Sequence, residues 1–304
     1  MAPPTRFERV AFRLGGERSI LLSYGGICTD YNNRLTRFCQ LFLRGESMKI
    51  LALGDVCGEC GRRLIKNKLG ALRRETGADL VVLNGENAND NGRGLSPESA
   101  DDFFYAGADV ITLGNHALND RRLFDKLDEC RFLLRPLNMP ARTPGQGSVT
   151  LDVGSKRVCV CNLMGMVDMD YRLSNPFEAA DMLLRRESAD IYLFDFHAEA
   201  TSEKKAFGFY LDGRAAAVWG THTHVATRDL TVLPGGTGYI TDLGMTGALR
   251  SVLGVKPERS IAMFLGTPYV RYDYSFDDPA IQGALFTLDE SGRCVSAETV
   301  DFKG

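Results

Sequence analysis

Short apolar runs that each end in a polar cluster recur along the chain after Met48, and this pattern constrains the fold more than any other feature. Each run is four or five residues long and is followed by glycine or polar residues, as in a buried strand. The predicted strands are Lys49–Leu53, Leu80–Leu83, Val110–Leu113, Ile191–Phe194 and Ala215–Trp219. Helical patterns, such as the one over 61–76, separate several of them. The sequence therefore predicts an α/β fold with mainly parallel strands covered on both faces by helices.

The polar clusters that follow these strands contain the residues best able to carry chemistry. In open sheets of this kind, ligands bind beyond the carboxyl ends of the strands. We therefore expect the five clusters to converge on one site. The candidate site residues are Asp55, Glu86, Asn87, Asn115, His116, His197, His222 and His224.

The distribution of histidine is the sharpest functional signal. All four histidines of the chain lie in these clusters, whereas one isolated histidine would be interpreted more simply as a hydrogen-bonded structural residue. Imidazole nitrogens combined with carboxylate and amide oxygens suit iron, manganese or zinc. Seven such donors exceed the needs of one small cation, so the sequence predicts two transition-metal ions about 3.5–4 Å apart with a bridging carboxylate. Paired ions of this kind promote in-line displacement at phosphorus.

Two of the clusters resemble motifs of the calcineurin-like metallophosphoesterases. Gly114-Asn115-His116 and Gly220-Thr221-His222-Thr223-His224 are similar to the GNH and GHxH motifs of that superfamily. Where those enzymes have an Asp-x-His pair and a GDxxD motif, this chain has Asp55-Val56-Cys57 and Asn84-Gly85-Glu86-Asn87. These departures resemble one subfamily, the bacterial YmdB-like phosphodiesterases, which have similar GDVxG, NGEN, GNH, DFHAEATSEK, DGRA, GTHTH and TDxGMTG segments.

The resemblance runs almost continuously over residues 48–253, and it implies a fold, a reaction and a ligand set. The implied fold is a four-layer αββα sandwich, and the implied substrates are cyclic nucleotides, notably 2′,3′-cyclic and also 3′,5′-cyclic. The implied cofactors are two ions of iron or manganese, with zinc as an alternative, in a homo-oligomer linked to RNA turnover. One ion would take Asp55, Asn87 and His224, the other Asn115, His197 and His222, with Glu86 shared and His116 left as the general acid.

The assignment of His116 also has support from the count of donors. A water held between two cations loses its proton near neutral pH and can attack phosphorus. The departing sugar oxygen then needs a proton, which a histidine opposite the attacking water can supply. Seven other donors already suffice for two ions, which favours this role for His116; the alternative is a fourth nitrogen ligand.

Two other functions compatible with the same residues are kept as alternatives. One is a phosphomonoesterase of the same fold. The other is a nucleotide- or RNA-responsive regulator that binds a cyclic nucleotide but hardly hydrolyses it. The segment Ala117-Leu118-Asn119-Asp120 differs from the Thr-Trp and acidic residue usual after the GNH motif, so substrate preference is the least constrained part of the prediction.

Composition sets the remaining limits. Hydrophobic residues make up 44% and charged residues 25%, and no apolar run is long enough to span a membrane. Residues 1–47 carry seven arginines, no lysine and four acidic residues, and we interpret them as an N-terminal extension ahead of a metallophosphoesterase domain over 48–304. The eight cysteines show no disulfide-framework spacing, which favours a cytoplasmic protein with free thiols.

Several conspicuous residues are given a structural interpretation. Cys57 and Cys60 have redox-motif spacing but lack an adjoining thioredoxin pattern. Arg62 and Arg63 are predicted to be solvated helix charges, and Trp219 to be a core residue. Thr201-Ser202-Glu203 is predicted to cap a helix, Cys159 and Cys161 to be packed thiols on a strand, and 285–300 to form a hairpin.

Overall fold

The computed structural model describes residues 47–169 and 171–304. The predicted extension lies outside these residues except for Ser47, so the boundary at Met48 stays a prediction. The strands are β1 (Met48–Leu53), β2 (Asp55–Val56), β3 (Leu80–Asn84), β4 (Val110–Thr112), β5 (Leu133–Leu134), β6 (Ser148–Val153), β7 (Lys156–Met164), β8 (Ile191–His197), β9 (Ala217–Thr221), β10 (Thr231–Val232), β11 (Gly238–Ile240), β12 (Met245–Ala248), β13 (Pro279–Leu288) and β14 (Cys294–Lys303). The helices are α1 (Gly58–Thr76), α2 (Pro97–Ala106), α3 (Leu123–Glu129), α4 (Pro176–Arg186), α5 (Thr201–Leu211) and α6 (Pro257–Phe264).

The strands form two sheets. In the first, β1, β3, β4 and β5 are parallel neighbours, while β13 pairs antiparallel with β1, β12 and β14, and β2 pairs with β12. The second has the order β10-β11-β9-β8-β7-β6, with parallel pairing from β11 to β7 and antiparallel edge strands. The five predicted strands are therefore divided between the sheets: three lie in the first and two in the second.

Alternating side chains of each strand enter different cores, as the two-residue repeat of a strand requires. In β1, Ile50 and Ala52 lie between the sheets, whereas Leu51 and Leu53 pack under helices α1 to α3. In β8, Leu193 lies between the sheets and Phe194 packs under α4 and α5. The layers are thus helices, first sheet, second sheet and helices, which confirms the predicted four-layer αββα sandwich.

Several local predictions are confirmed. Trp219 is 1% exposed and stacks on Phe286 between the sheets, with ring centroids 6.0 Å apart. Cys159 and Cys161 are buried together on the helix-facing side of β7. The predicted hairpin is the antiparallel pair β13 and β14.

Some element boundaries differ from the prediction. Strand β8 continues to His197 and β9 continues to Thr221, because their last residues remain paired with each other. Helix α1 begins at Gly58, three residues earlier than predicted, so that Cys60 lies in its first turn. In the described parts of the chain, every helix is too short or too polar to cross a membrane.

Candidate metal centre

Donor atoms from the carboxyl ends of both sheets meet at one edge of the sandwich. The first sheet contributes mainly oxygen donors, from β2 and from the loops after β3 and β4. The second sheet contributes imidazoles, from the end of β8 and the loop after β9. The structure thereby brings together all eight residues predicted for the site: Asp55, Glu86, Asn87, Asn115 and His116 from the first sheet, and His197, His222 and His224 from the second.

His197 lies at the centre of this cluster and contacts three of its members. Its Nε2 lies 2.9 Å from Asn115 Oδ1, 3.0 Å from Glu86 Oε1 and 3.1 Å from His222 Nδ1. One ring nitrogen has at most one proton and cannot donate to all three neighbours. The ligand atoms of Glu86, His197 and His222 all lie within 4.8 Å of one another, close enough to hold one metal ion.

A second group of donors lies beside the first. His224 Nε2 is 3.2 Å from Asn87 Oδ1. Asp55 is fully buried, and its Oδ2 accepts the backbone N–H of His222 at 3.1 Å. Its other oxygen, Oδ1, has no hydrogen-bond partner among the described residues. A buried carboxylate oxygen without a donor is costly, and a cation would satisfy it.

The backbone conformation at this edge lets the donor side chains lie close to one another. A Cβ atom on Gly114 would overlap both Glu86 Oε2 and His197 Nε2, so only glycine fits between them. His222 and His224 have φ angles of +103° and +61°, in the region that side chains other than glycine rarely adopt. Each such residue costs about 1–3 kcal/mol and needs support from its surroundings.

A buried ion pair supplies part of that support. Asp242 Oδ2 accepts the backbone N–H of Thr223, between the two strained histidines, at 3.2 Å. The same oxygen lies 2.7 Å from Lys204 Nζ, and both side chains are 1% exposed. The position of the His222 and His224 loop thus depends on a lysine from α5.

His197 has its own supporting contacts on the other ring nitrogen. Its Nδ1 lies 3.0 Å from Thr221 Oγ1, which donates to Asp195 Oδ1 at 2.7 Å. Asp195 also accepts hydrogen bonds from Thr112 and Asn84 of the first sheet. Burial raises the pKa of Asp195 to about 6 despite these donors. This chain of contacts orients the His197 ring and links the two sheets behind the site.

Burial determines the protonation of the histidines. Loss of hydration lowers the pKa of His197 and His224, and it lowers the pKa of His222 to about 3. Burial and the nearby charges of Asp242 and Glu86 raise the pKa of Asp55. Lowered pKa values favour the neutral imidazole, the form in which a ring nitrogen can bind a metal ion without first losing a proton.

His116 lies at the rim of the cluster. Its backbone N–H donates to Glu86 Oε2 at 3.0 Å, while its half-buried ring lies beside the side-chain amides of Asn115 and Asn119, with Nδ1 3.3 Å from Asn119 Nδ2. Burial lowers the pKa of His116, and the charge of Glu86 raises it. The ring is therefore close to the donor set, next to the side chain of Asn115.

Other residues singled out in the sequence have local partners. Arg62 binds the Ala88 carbonyl and Asp90, and Arg63 pairs with Glu59. Cys57 Sγ lies 3.4 Å from His224 Nδ1, which places this thiol behind a predicted ligand.

Helix α5 begins at Thr201, as predicted, but the predicted side-chain cap is wrong. The N-cap residue is Ala200, which has no side-chain acceptor, and the Glu203 carboxylate accepts the backbone N–H groups of Met166 and Val167.

Three residues near the site were not predicted. Glu199 Oε2 lies 3.1 Å from His222 Nε2, and Lys204 and Asp242 form the buried pair described above. All three lie within family-like segments: Glu199 and Lys204 within DFHAEATSEK, and Asp242 within TDxGMTG. The presence of Lys204 and Asp242 in these segments could have marked them as candidates, but the sequence does not show that the two side chains form an ion pair.

Comparisons with known proteins give a matching family and a similar enzyme. The model of the family described as YmdB-like protein matches residues 51–300. A 2′,3′-cyclic-nucleotide 2′-phosphodiesterase from Bacillus subtilis (strain 168) is 41% identical over 248 residues, which cover 81% of this chain and 93% of that protein.

Two solved structures are also similar. A hypothetical protein from Thermus thermophilus is 41% identical with a TM-score of 0.79, and the match covers 84% of this chain and 99% of that one. A novel phosphatase from Mycoplasma pneumoniae is 35% identical with a TM-score of 0.79, and the match covers 84% and 94% of the two chains.

Proposed function

The chain belongs to the YmdB-like protein family, and from this premise we propose that it is a metal-dependent phosphodiesterase acting on small cyclic nucleotides. We propose 2′,3′-cyclic nucleotides as the main substrates and 3′,5′-cyclic nucleotides as weaker ones. One observation carries the proposal: oxygen donors from one sheet and imidazoles from the other lie 2.9–3.2 Å apart at the strand ends. The name of the Bacillus subtilis relative supports the substrate class.

The residues present fit divalent cations. Asp55 Oδ1 is buried without a donor, and His197 Nε2 faces three polar atoms that it cannot all satisfy. Mixed nitrogen and oxygen donors suit iron, manganese or zinc. We propose that Asp55, Asn87 and His224 hold one ion, that Asn115, His197 and His222 hold another, and that Glu86 bridges them.

The chain's own residues would divide the reaction between them. Bound divalent cations would supply an activated water and neutralise charge on the phosphate. Asp242 and Lys204 would keep His222 and His224 in their strained conformation. Asp195, acting through Thr221, would fix the orientation of the His197 ring.

His116 would donate the proton that the departing ribose oxygen needs. Its ring lies beside the Asn115 side chain, on the same loop. Burial lowers the pKa of His116, whereas the negative charge of a bound phosphate would favour the protonated imidazolium. Substrate binding would therefore help to place the proton where the reaction uses it.

A substrate panel with purified protein tests the proposal. The panel contains 2′,3′-cyclic AMP, 3′,5′-cyclic AMP and adenosine 3′-monophosphate, assayed with added manganese or iron(II) and with chelator. We expect the 2′,3′-cyclic substrate to be hydrolysed with the highest kcat/KM and chelator to abolish turnover. Preferred hydrolysis of the monophosphate would instead indicate a phosphomonoesterase, and tight binding without turnover in metal-loaded protein would indicate a regulator.

Three further features stay predictions from the sequence. They are the cytoplasmic location, the assembly into a homo-oligomer and a link to partners in RNA turnover.

A further inference from the structure

The loop between β3 and α2 contains an arginine, Arg93, that has no part in the mechanism proposed above. Arg93 is exposed and lies between Gly92 and Gly94, whose φ angles are +67° and +84°. The guanidinium makes no hydrogen bond or ion pair with another residue in 47–169 or 171–304, and the hydrogen bonds of Arg93 are formed by its backbone. Its N–H binds Asn91 Oδ1 at 3.0 Å, and its carbonyl accepts from Asn89 Nδ2 at 3.2 Å.

The same loop is tied to two predicted metal ligands on either side of Arg93. The Asn87 side-chain amide donates to the Gly92 carbonyl at 3.0 Å. The Gly94 N–H donates to the Glu86 carbonyl at 2.6 Å. Both neighbours of Arg93 in the chain are therefore hydrogen-bonded to predicted metal ligands, Gly92 to Asn87 and Gly94 to Glu86.

Neighbouring side chains fix the loop against the rest of the site. A Cβ on Gly92 would collide with the Tyr274 hydroxyl, and a Cβ on Gly94 would lie 3.3 Å from Asn119 Cβ. Asn119 is the residue whose amide faces the His116 ring. These contacts place the loop that carries Arg93 at the rim, beside the predicted general acid.

Nearby acidic residues do not neutralise Arg93, because they are paired with other arginines. Asp90 binds Arg62, and Asp120 binds Arg122 at 2.7 Å. An arginine left unpaired at the mouth of a site for phosphate esters has a suitable partner in the substrate. A guanidinium presents donors in a fixed fork that matches two phosphate oxygens.

We propose that Arg93 binds the non-bridging phosphate oxygens of the substrate at the rim of the metal centre. This inference rests on the proposed phosphodiesterase function and adds to it a protein group that recognises the anion. Arg93 would contribute mainly to binding, because the rim position leaves activation of water and protonation of the leaving group to other groups. Product monoesters carry more negative charge than cyclic diesters and would depend on Arg93 more strongly.

Kinetics of three variants with full metal content test this role. Arg93→Gln removes the charge, Arg93→Lys keeps the charge without the fork, and Arg74→Gln is the matched control at the far end of α1. For Arg93→Gln we expect KM for 2′,3′-cyclic AMP to rise about 5- to 20-fold with little change in kcat, a range discounted for solvent exposure. Arg93→Lys should lie between this variant and wild type, and Arg74→Gln should match wild type.

Equilibrium binding of inorganic phosphate to metal-loaded protein, measured by calorimetry, gives a readout that does not depend on turnover. We expect Arg93→Gln to weaken it by at least the same factor and high salt to reduce the difference from wild type. Unchanged KM and phosphate affinity in Arg93→Gln would overturn the proposal, as would an equal loss in Arg74→Gln. If the wild type hydrolyses none of the substrates, the proposed function fails, while phosphate binding still decides the role of Arg93.

Discussion

The two sheets of the sandwich contribute different chemistry to the same site. The first sheet brings carboxylate and amide oxygens on short loops, together with His116. The second brings the imidazoles of His197, His222 and His224, on strand ends that buried polar contacts hold in place. The comparison shows that neither sheet alone provides both the oxygen donors and these three imidazoles. Apolar packing between the sheets therefore does more than stabilise the fold, because it sets the distance between the two kinds of donor.

The largest effect is expected where the two donor sets meet. Glu86→Gln keeps the shape of the side chain but removes the charge beside His197 and Asn115, and we expect both ions to bind more weakly together. Turnover should fall by about 10³-fold or more, since metal ions supply several kcal/mol of charge stabilisation. Metal analysis beside activity checks this, with Glu59→Gln on α1 as the control. Loss of only one ion would mean that Glu86 does not join the two sets.

Replacing His116, which the first sheet contributes, should show whether this residue acts in catalysis or in metal binding. We expect His116→Ala to keep its metals and to lose about 10²- to 10⁴-fold in turnover of 2′,3′-cyclic AMP, as removal of a general acid typically does. A nitrophenyl phosphodiester has a leaving group that needs no proton, so its hydrolysis should fall less. Loss of metal would identify His116 as a ligand, and equal slowing of both substrates would contradict the acid role.

The second sheet should be sensitive to its buried ion pair. Asp242→Asn leaves the Lys204 charge buried without a partner, which costs about 3–5 kcal/mol in unfolding free energy. We expect the double variant Lys204→Met, Asp242→Asn to recover most of that stability, because it buries no unpaired charge. Chemical denaturation measures both. If the single and double variants are equally unstable, the pair acts through shape rather than charge.

The smallest effect is expected behind His197. Thr221→Val removes the hydroxyl between His197 Nδ1 and Asp195, and we expect metal affinity to fall by about 10- to 100-fold, as it does when supporting contacts of metal ligands are removed. The exposed Thr231→Val on β10 serves as the control. Metal affinity unchanged from wild type would show that the His197 ring is oriented by its other contacts.

The same comparison explains what could be predicted from the sequence. Strands such as β1 and β8 are buried on both faces, so their apolar runs and the polar residues at their ends were recognisable. Such runs look alike whether they lie in one sheet or in two, and the periodicity did not assign β8 and β9 to a second sheet. The four-layer arrangement came from the family resemblance.

The contacts that support the His222 and His224 loop could not be predicted from the sequence pattern, for a different reason. Lys204 and Asp242 are 38 residues apart, and a lysine in a helix is usually exposed. The strained φ angles of His222 and His224 depend on Asp55 and on this pair. These features arise from contacts between distant segments, which residue spacing does not encode.

The central claim is that oxygen donors from one sheet and imidazoles from the other form a single dinuclear centre. Titrating metal-free protein with manganese or iron(II), while measuring bound metal and hydrolysis of 2′,3′-cyclic AMP in the same samples, tests it most directly. The account predicts that activity reaches its maximum at two ions per chain. Full activity with one ion per chain would contradict it.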